Sequence, residues 1–176
     1  IVAHEAVDYA NKKGIDVIIL DHHEKPKKLP KAYAIVHTTK LCASGIAYFF
    51  AREMLKQVQH DTIELAAIAT VTDMMPLVGI NRSIVKFGLE SLNKTKRVGL
   101  KSIFETAGIE KVGVYEIGFM VGPRLNASGR IESALTALRL LCTHNKEKAK
   151  ELAQSLNSTN KDRQTMTTEM TLHAKD

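Results

Sequence analysis

Four consecutive apolar residues, Val17-Ile18-Ile19-Leu20, run directly into Asp21-His22-His23, and no other feature of the chain restricts its fold so tightly. An apolar run rich in β-branched residues describes a strand covered on both faces, as in a parallel sheet. Before it, residues 2–13 carry Val2, Ala3, Ala6, Val7 and Ala10 at helical spacing, and Gly14 stops the helix. Helix, glycine and buried strand make half of a βαβ unit. Folds of this kind gather ligands at the carboxyl ends of their strands, which is where the Asp-His-His turn falls. Two adjacent imidazoles behind a carboxylate can supply one metal ligand and one phosphate contact, the carboxylate fixing a tautomer. A polar turn after a strand is the competing reading; it explains the Asp but not two consecutive His.

The rest of the chain is mostly helical. Residues 25–31, with two prolines and four lysines, read as an exposed loop, and residues 33–37 as a second short strand. Helices are expected over residues 44–58, with Ser44 as N-cap, and over 62–72, capped by Asp61. Further helices are expected over 83–92 and over 100–107, the latter closed by Gly108, with a short apolar helical turn over 115–121 that ends at Gly122-Pro123. Residues 131–142 give another helix. Residues 146–170 give a long polar one, about 37 Å at 1.5 Å per residue. Its Leu152, Leu156, Met166 and Met170 are too sparse to bury it fully, as in helices that bridge two domains.

Two more segments carry chemistry. Asp73, in Thr70-Val71-Thr72-Asp73-Met74-Met75-Pro76, emerges from an apolar helix, where a carboxylate is costly to bury unless a metal, a helix end or an arginine meets it. Taken alone, the helix-cap reading of Asp73 is the stronger. Gly122-Pro123-Arg124-Leu125-Asn126-Ala127-Ser128-Gly129-Arg130 sets two arginines at the mouth of a helix, a natural phosphate site if its amides are free; a solvated interdomain loop is an equal reading. His4, His37, His60, His144 and His173 read as isolated surface residues, and Cys42 and Cys142 as buried free thiols in a reducing cytoplasm. Net charge is +6 with a pI of about 9.3, which favours polyanionic partners. No apolar run approaches the roughly 20 residues of a membrane span. The first residues, Ile1-Val2-Ala3-His4-Glu5, form no targeting signal and begin inside a helix, so upstream sequence is expected.

Three motifs in this order, with Ile117-Gly118-Phe119 ahead of the arginines, Leu41-Cys42-Ala43-Ser44-Gly45 at a helix start and Asn81-Arg82 after Pro76, resemble the RecJ family of the DHH phosphoesterase superfamily. The resemblance implies the C-terminal part of a DHH-type parallel-sheet α/β domain over residues 1–125, mostly helical after residue 44. Residues 126–176 would then be a linker and a long interdomain helix. It implies a 5′-to-3′ single-stranded-DNA exonuclease of DNA repair and recombination, cytoplasmic, using two Mn2+ or Mg2+ ions. His22 and Asp73 would ligate one ion, Asp21 would support them, His23 would touch the scissile phosphate, and Arg124, Asn126 and Arg130 would grip phosphate. The family's Asp-x-Asp motif, a second Asp expected just before Ile1, and the C-terminal domain are absent, so residues 1–176 alone are expected to be inactive. Departures are His37-Thr38-Thr39, where the family usually has Asn-Pro, and Ser128, where it has Ala. Related oligoribonucleases and cyclic-dinucleotide phosphodiesterases would differ in the arginine segment. A non-catalytic replication partner of the same fold would have lost the Asp-His-His and Asp73.

Overall fold

The computed structural model describes residues 2–55, 62–131 and 133–174. Its elements run α1 (His4–Lys12), β1 (Ile18–Asp21), β2 (Ala34–His37), α2 (Ala43–Leu55), α3 (Thr62–Thr72), α4 (Gly79–Leu92) and α5 (Val98–Ala107). A π-turn (Glu116–Val121), α6 (Gly122–Ile131), α7 (Leu135–Cys142) and α8 (Lys146–His173) follow. The chain divides within α4 into two units, Ile1–Gly88 and Leu89–Asp176. The boundary expected at residue 125 falls inside α6. No helix among the described residues is long and apolar enough to cross a membrane.

In the first unit, β1 and β2 pair in parallel, with Ile18 opposite Ala34 and Asp21 opposite His37. Both strands thus end level, and their carboxyl ends place Asp21 and His37 side by side. The described sheet has two strands, so β1 is half-buried rather than covered on both faces, and Ile18 is 43% exposed. The core beneath is Ala66 and Ala67 of α3 with Ile84 of α4, against which Leu41, Tyr48 and Phe49 pack. α2 starts at Ala43, so Ser44 lies inside its first turn instead of capping it. The expected cap Asp61, the end of the 44–58 helix and His60 lie outside the described residues. α4 begins four residues earlier than the sequence pattern suggests: Gly79, at φ 51, turns the chain straight out of the Pro76 turn into the helix.

In the second unit, α8 packs on α5, α6 and α7. Its inner stripe is Ala149, Ala153, Leu156 and Asn160, spaced three and four apart as a single helix face requires. Beyond that stripe Met166, Met170 and Leu172 are exposed. α5 closes on Gly108 at φ 68, as its sequence predicts. Cys42 is buried, but Cys142, expected to be buried as well, is exposed.

The arginine segment is a correction. Instead of a loop between a short turn and a helix over 131–142, residues 114–131 form one unbroken helical run, π-turn then α6. Glycine, proline, asparagine and serine suggest a loop, but packing overrides them: Gly122, Ala127 and Ser128 are buried. Pro123 lacks an N–H, and its ring crowds the carbonyl four residues back; the wider coil of the π-turn at that place relieves both demands. The expected helix N-terminus with free amides is therefore not there, and Arg130 sits in the last turn of α6.

Candidate metal and phosphate site

Asp21 organises the turn that leaves β1. One of its oxygens, Oδ1, accepts the backbone N–H of His22 at 2.9 Å and of His23 at 3.4 Å, and the Nδ1–H of His23 at 2.8 Å. These bonds, led by the imidazole's, hold the Asp21 carboxyl well below the usual carboxylate range. They also assign the proton of His23 to Nδ1, which leaves Nε2 of this exposed ring open to a ligand. The rings of His22 and His23 lie 4.4 Å apart. One donor atom each from Asp21, His22 and His23 falls within 4.8 Å of the others.

His22 and Asp73, 51 positions apart by number (73 − 22), come together: Nε2 of His22 lies 3.7 Å from Oδ2 of Asp73. That separation is too long for a good hydrogen bond and too short to admit a water in line. It suits two donors on one divalent ion, which at roughly 2.1 Å per bond stand about 3 to 4 Å apart. Nδ1 of His22 is buried with no hydrogen-bond partner among the described residues, a cost that a fold selected for stability alone would remove. The Asp73 carboxylate is 45% exposed and takes no hydrogen bond from described residues, so neither burial nor helix capping accounts for it. Just beyond it, Met74 adopts φ 52 to close α3, with Met75 N–H donating to the Thr70 carbonyl at 3.1 Å. A methionine in the left-handed region is strained by roughly 1–2 kcal/mol, and such strain clusters at functional sites.

Two further residues hold this arrangement: His37, which sequence reasoning missed, and Asn81, which it noted only as part of the family resemblance. His37 is no isolated surface histidine: its Nε2–H donates to the backbone carbonyl of His23 at 2.6 Å. Only the register of the parallel pair reveals this, and register is a nonlocal property. Asn81 donates from Nδ2 to the carbonyls of Lys40 at 2.9 Å and Pro76 at 3.1 Å, tying the segment after β2 to the turn after Asp73. His37→Ala is expected to weaken ion binding by about tenfold, the lower end of what outer partners of a ligand contribute. His37→Gln, whose amide reaches a similar distance, should recover most of it. A titration showing all three proteins equal would remove His37 from the site.

The arginine segment belongs to the second unit. Arg124 is engaged there: Nε donates to Oδ1 of Asn157 at 3.0 Å and Nη1 to the Met120 carbonyl at 2.8 Å, binding α8 to the π-turn. Burial lowers its pKa from the ordinary guanidinium value. Asn126 and Arg130 are exposed and, four residues apart on α6, share a face. These two remain available to a phosphate.

A family model described as the DHH family, N-terminal domain, matches residues 1–70. The single-stranded-DNA-specific exonuclease RecJ of Bacillus subtilis (strain 168) is 40% identical over 179 residues, covering 96% of this chain and 23% of that protein. A crystal structure of exonuclease RecJ bound to manganese matches with a TM-score of 0.86 at 32% identity, over 97% of this chain and 46% of that one. RecJ from Thermus thermophilus in complex with Mn2+ matches with a TM-score of 0.84 at 31% identity, over 97% of this chain and 28% of that one. The chain thus spans less than half the length of each of these relatives. By sequence and by fold alike, this chain corresponds to a partial region of the RecJ exonucleases, with its residues 1–70 matching the DHH family.

Proposed function

We propose that this chain contributes His22 and Asp73, as ligands of a divalent ion, to a 5′-to-3′ exonuclease that hydrolyses the phosphodiester bonds of single-stranded DNA. The ion is Mn2+ or Mg2+, the ions held by the RecJ structures. The observation that carries the reading is the approach of His22 Nε2 to Asp73 Oδ2 at 3.7 Å. When bound, the ion supplies positive charge to the phosphate oxygens and acidifies water for the attack.

The chain's own residues do the positioning. Asp21 locks the turn through three hydrogen bonds to one oxygen, so that His22 faces Asp73 and His23 presents a free Nε2 to the scissile phosphate. Asn126 and Arg130 take phosphate oxygens of the strand, while Arg124 is kept for structure. Ion uptake tests the reading. Titration of Mn2+ into the chain, followed by loss of the free-ion paramagnetic resonance signal, is expected to show saturable binding. A linear, nonsaturating response would sink the proposal.

A further inference from the structure

We propose that Tyr115 and Phe119 form a stacking platform for the bases of single-stranded nucleic acid, continued along the same helical face by Asn126 and Arg130. The proposal deepens the substrate reading above and rests on it. Tyr115 and Phe119 stack on one another with ring centroids 4.9 Å apart and planes 28° apart, yet they are 63% and 69% exposed. The other neighbouring pair of benzene-type rings among the described residues, Tyr48 and Phe49, meets edge-on at 72° and packs against the core. One aromatic pair therefore builds the fold, and the other faces outward.

The helical run of residues 114–131 sorts its side chains sharply. Ile117, Val121, Gly122, Ala127 and Ser128 are buried, whereas Tyr115, Phe119, Asn126 and Arg130 are exposed. Their spacing of four, seven and four residues keeps them on one side of the rod. The π-turn joins the two rings to the polar pair, and such turns are rare and concentrated at functional sites. The Glu116 carboxylate within this stretch is turned aside, accepting the Gly113 N–H at 2.8 Å. The strip thus offers flat π surface at one end and a guanidinium with an amide at the other. Every nucleobase has a π face, and phosphate suits the cationic end; a duplex hides its base faces, so such a strip favours an unpaired strand. A purely apolar partner would have no use for the polar end.

The test compares a thymidine oligonucleotide with an abasic strand of equal length, binding to the intact chain in EDTA. The chain has four tyrosines and no tryptophan, so the part of the tyrosine-fluorescence quenching that depends on Tyr115 and Phe119 reports stacking. The base-bearing strand is expected to bind about tenfold or more tightly than the abasic one. Y115A/F119A should abolish that preference and most of the quenching, leaving the salt dependence of residual binding unchanged. Y115F/F119Y, which keeps both rings, should retain the preference and shows that a loss is not a folding defect. Equal binding of the two strands by the unmodified chain, a preference surviving in Y115A/F119A, or no binding of either strand overturns the platform. Self-association that the alanine variant abolishes, with strand binding unaltered, overturns it too, because a second copy would then be the occupant. As no ion is present, equal binding of the two strands by the unmodified chain counts against stacking alone, and failed Mn2+ uptake against the ion site alone.

Discussion

His22→Ala and Asp73→Ala will each weaken Mn2+ binding by about 100-fold or more, and the two together will weaken it little further. The size follows from position: outer partners of a metal ligand typically contribute about 10–100-fold, and the ligands themselves more. The lack of additivity follows from geometry. Two donors 3.7 Å apart serve one ion, so removing either already destroys the shared site, and residues acting as a unit are not additive. Ion-dependent stabilisation follows the same rule. At a concentration about 100 times the dissociation constant, an ion that binds only the folded form stabilises it by about 2.7 kcal/mol; the unmodified chain should show that rise in Tm and all three variants should lack it. In EDTA Asp73→Ala should melt close to the unmodified chain, because the Asp73 carboxylate is half exposed and takes no hydrogen bond from described residues. Two saturable sites lost independently, one with each residue, would refute a common ion.

Gly99→Ala should be the most damaging small substitution in the second unit. Gly99 is buried in the first turn of α5, and a Cβ there would stand 1.9 Å from the carbonyl oxygen of Leu140 and 2.8 Å from its carbonyl carbon. These are backbone atoms of α7, so no rotamer change relieves the clash; the two helices must separate. Alanine gains roughly 1 kcal/mol of helix propensity over glycine, but overpacking ordinarily costs about 1–3 kcal/mol and more where backbone must move. A net loss of about 3 kcal/mol is expected, which for a chain of this size lowers Tm by roughly 6–12 °C. Gly14→Ala is the control. Gly14 has φ +70 and nothing within 4 Å of an added Cβ, so only backbone strain of about 1 kcal/mol is at stake. Thermal melts showing Gly99→Ala no worse than Gly14→Ala would mean that α5 and α7 are not in this contact.

What the sequence shows plainly is whatever depends on neighbours in the chain. The β-branched run before Asp21, the Asp-His-His turn, the apolar α3 ahead of Asp73 and the sparse apolar stripe of α8 all declare themselves through local spacing. The errors share one cause. Gly122, Pro123, Asn126 and Ser128 carry strong turn signals, and only the burial of that face together with the π-turn makes the segment helical. Ser44 looks like a cap because caps are read from residue type, whereas α2 starts one residue earlier. His37 looks solitary because its partner, the His23 carbonyl, lies fourteen residues away across a strand pair. The approach of His22 to Asp73 is likewise invisible to spacing; there the family resemblance supplied what periodicity could not.

The level ending of β1 and β2 separates two kinds of sequence freedom. Beyond the His22-His23 turn, residues 24–33 carry the chain to the next strand through largely exposed, lysine-rich coil, and evolution can lengthen, shorten or recompose most of that stretch without disturbing the chemistry. Within Ile18–Asp21 and Ala34–His37 no such latitude exists. Slipping either strand by a single position would send its side chains to the opposite face, stranding the imidazole of His37 away from the carbonyl it grips.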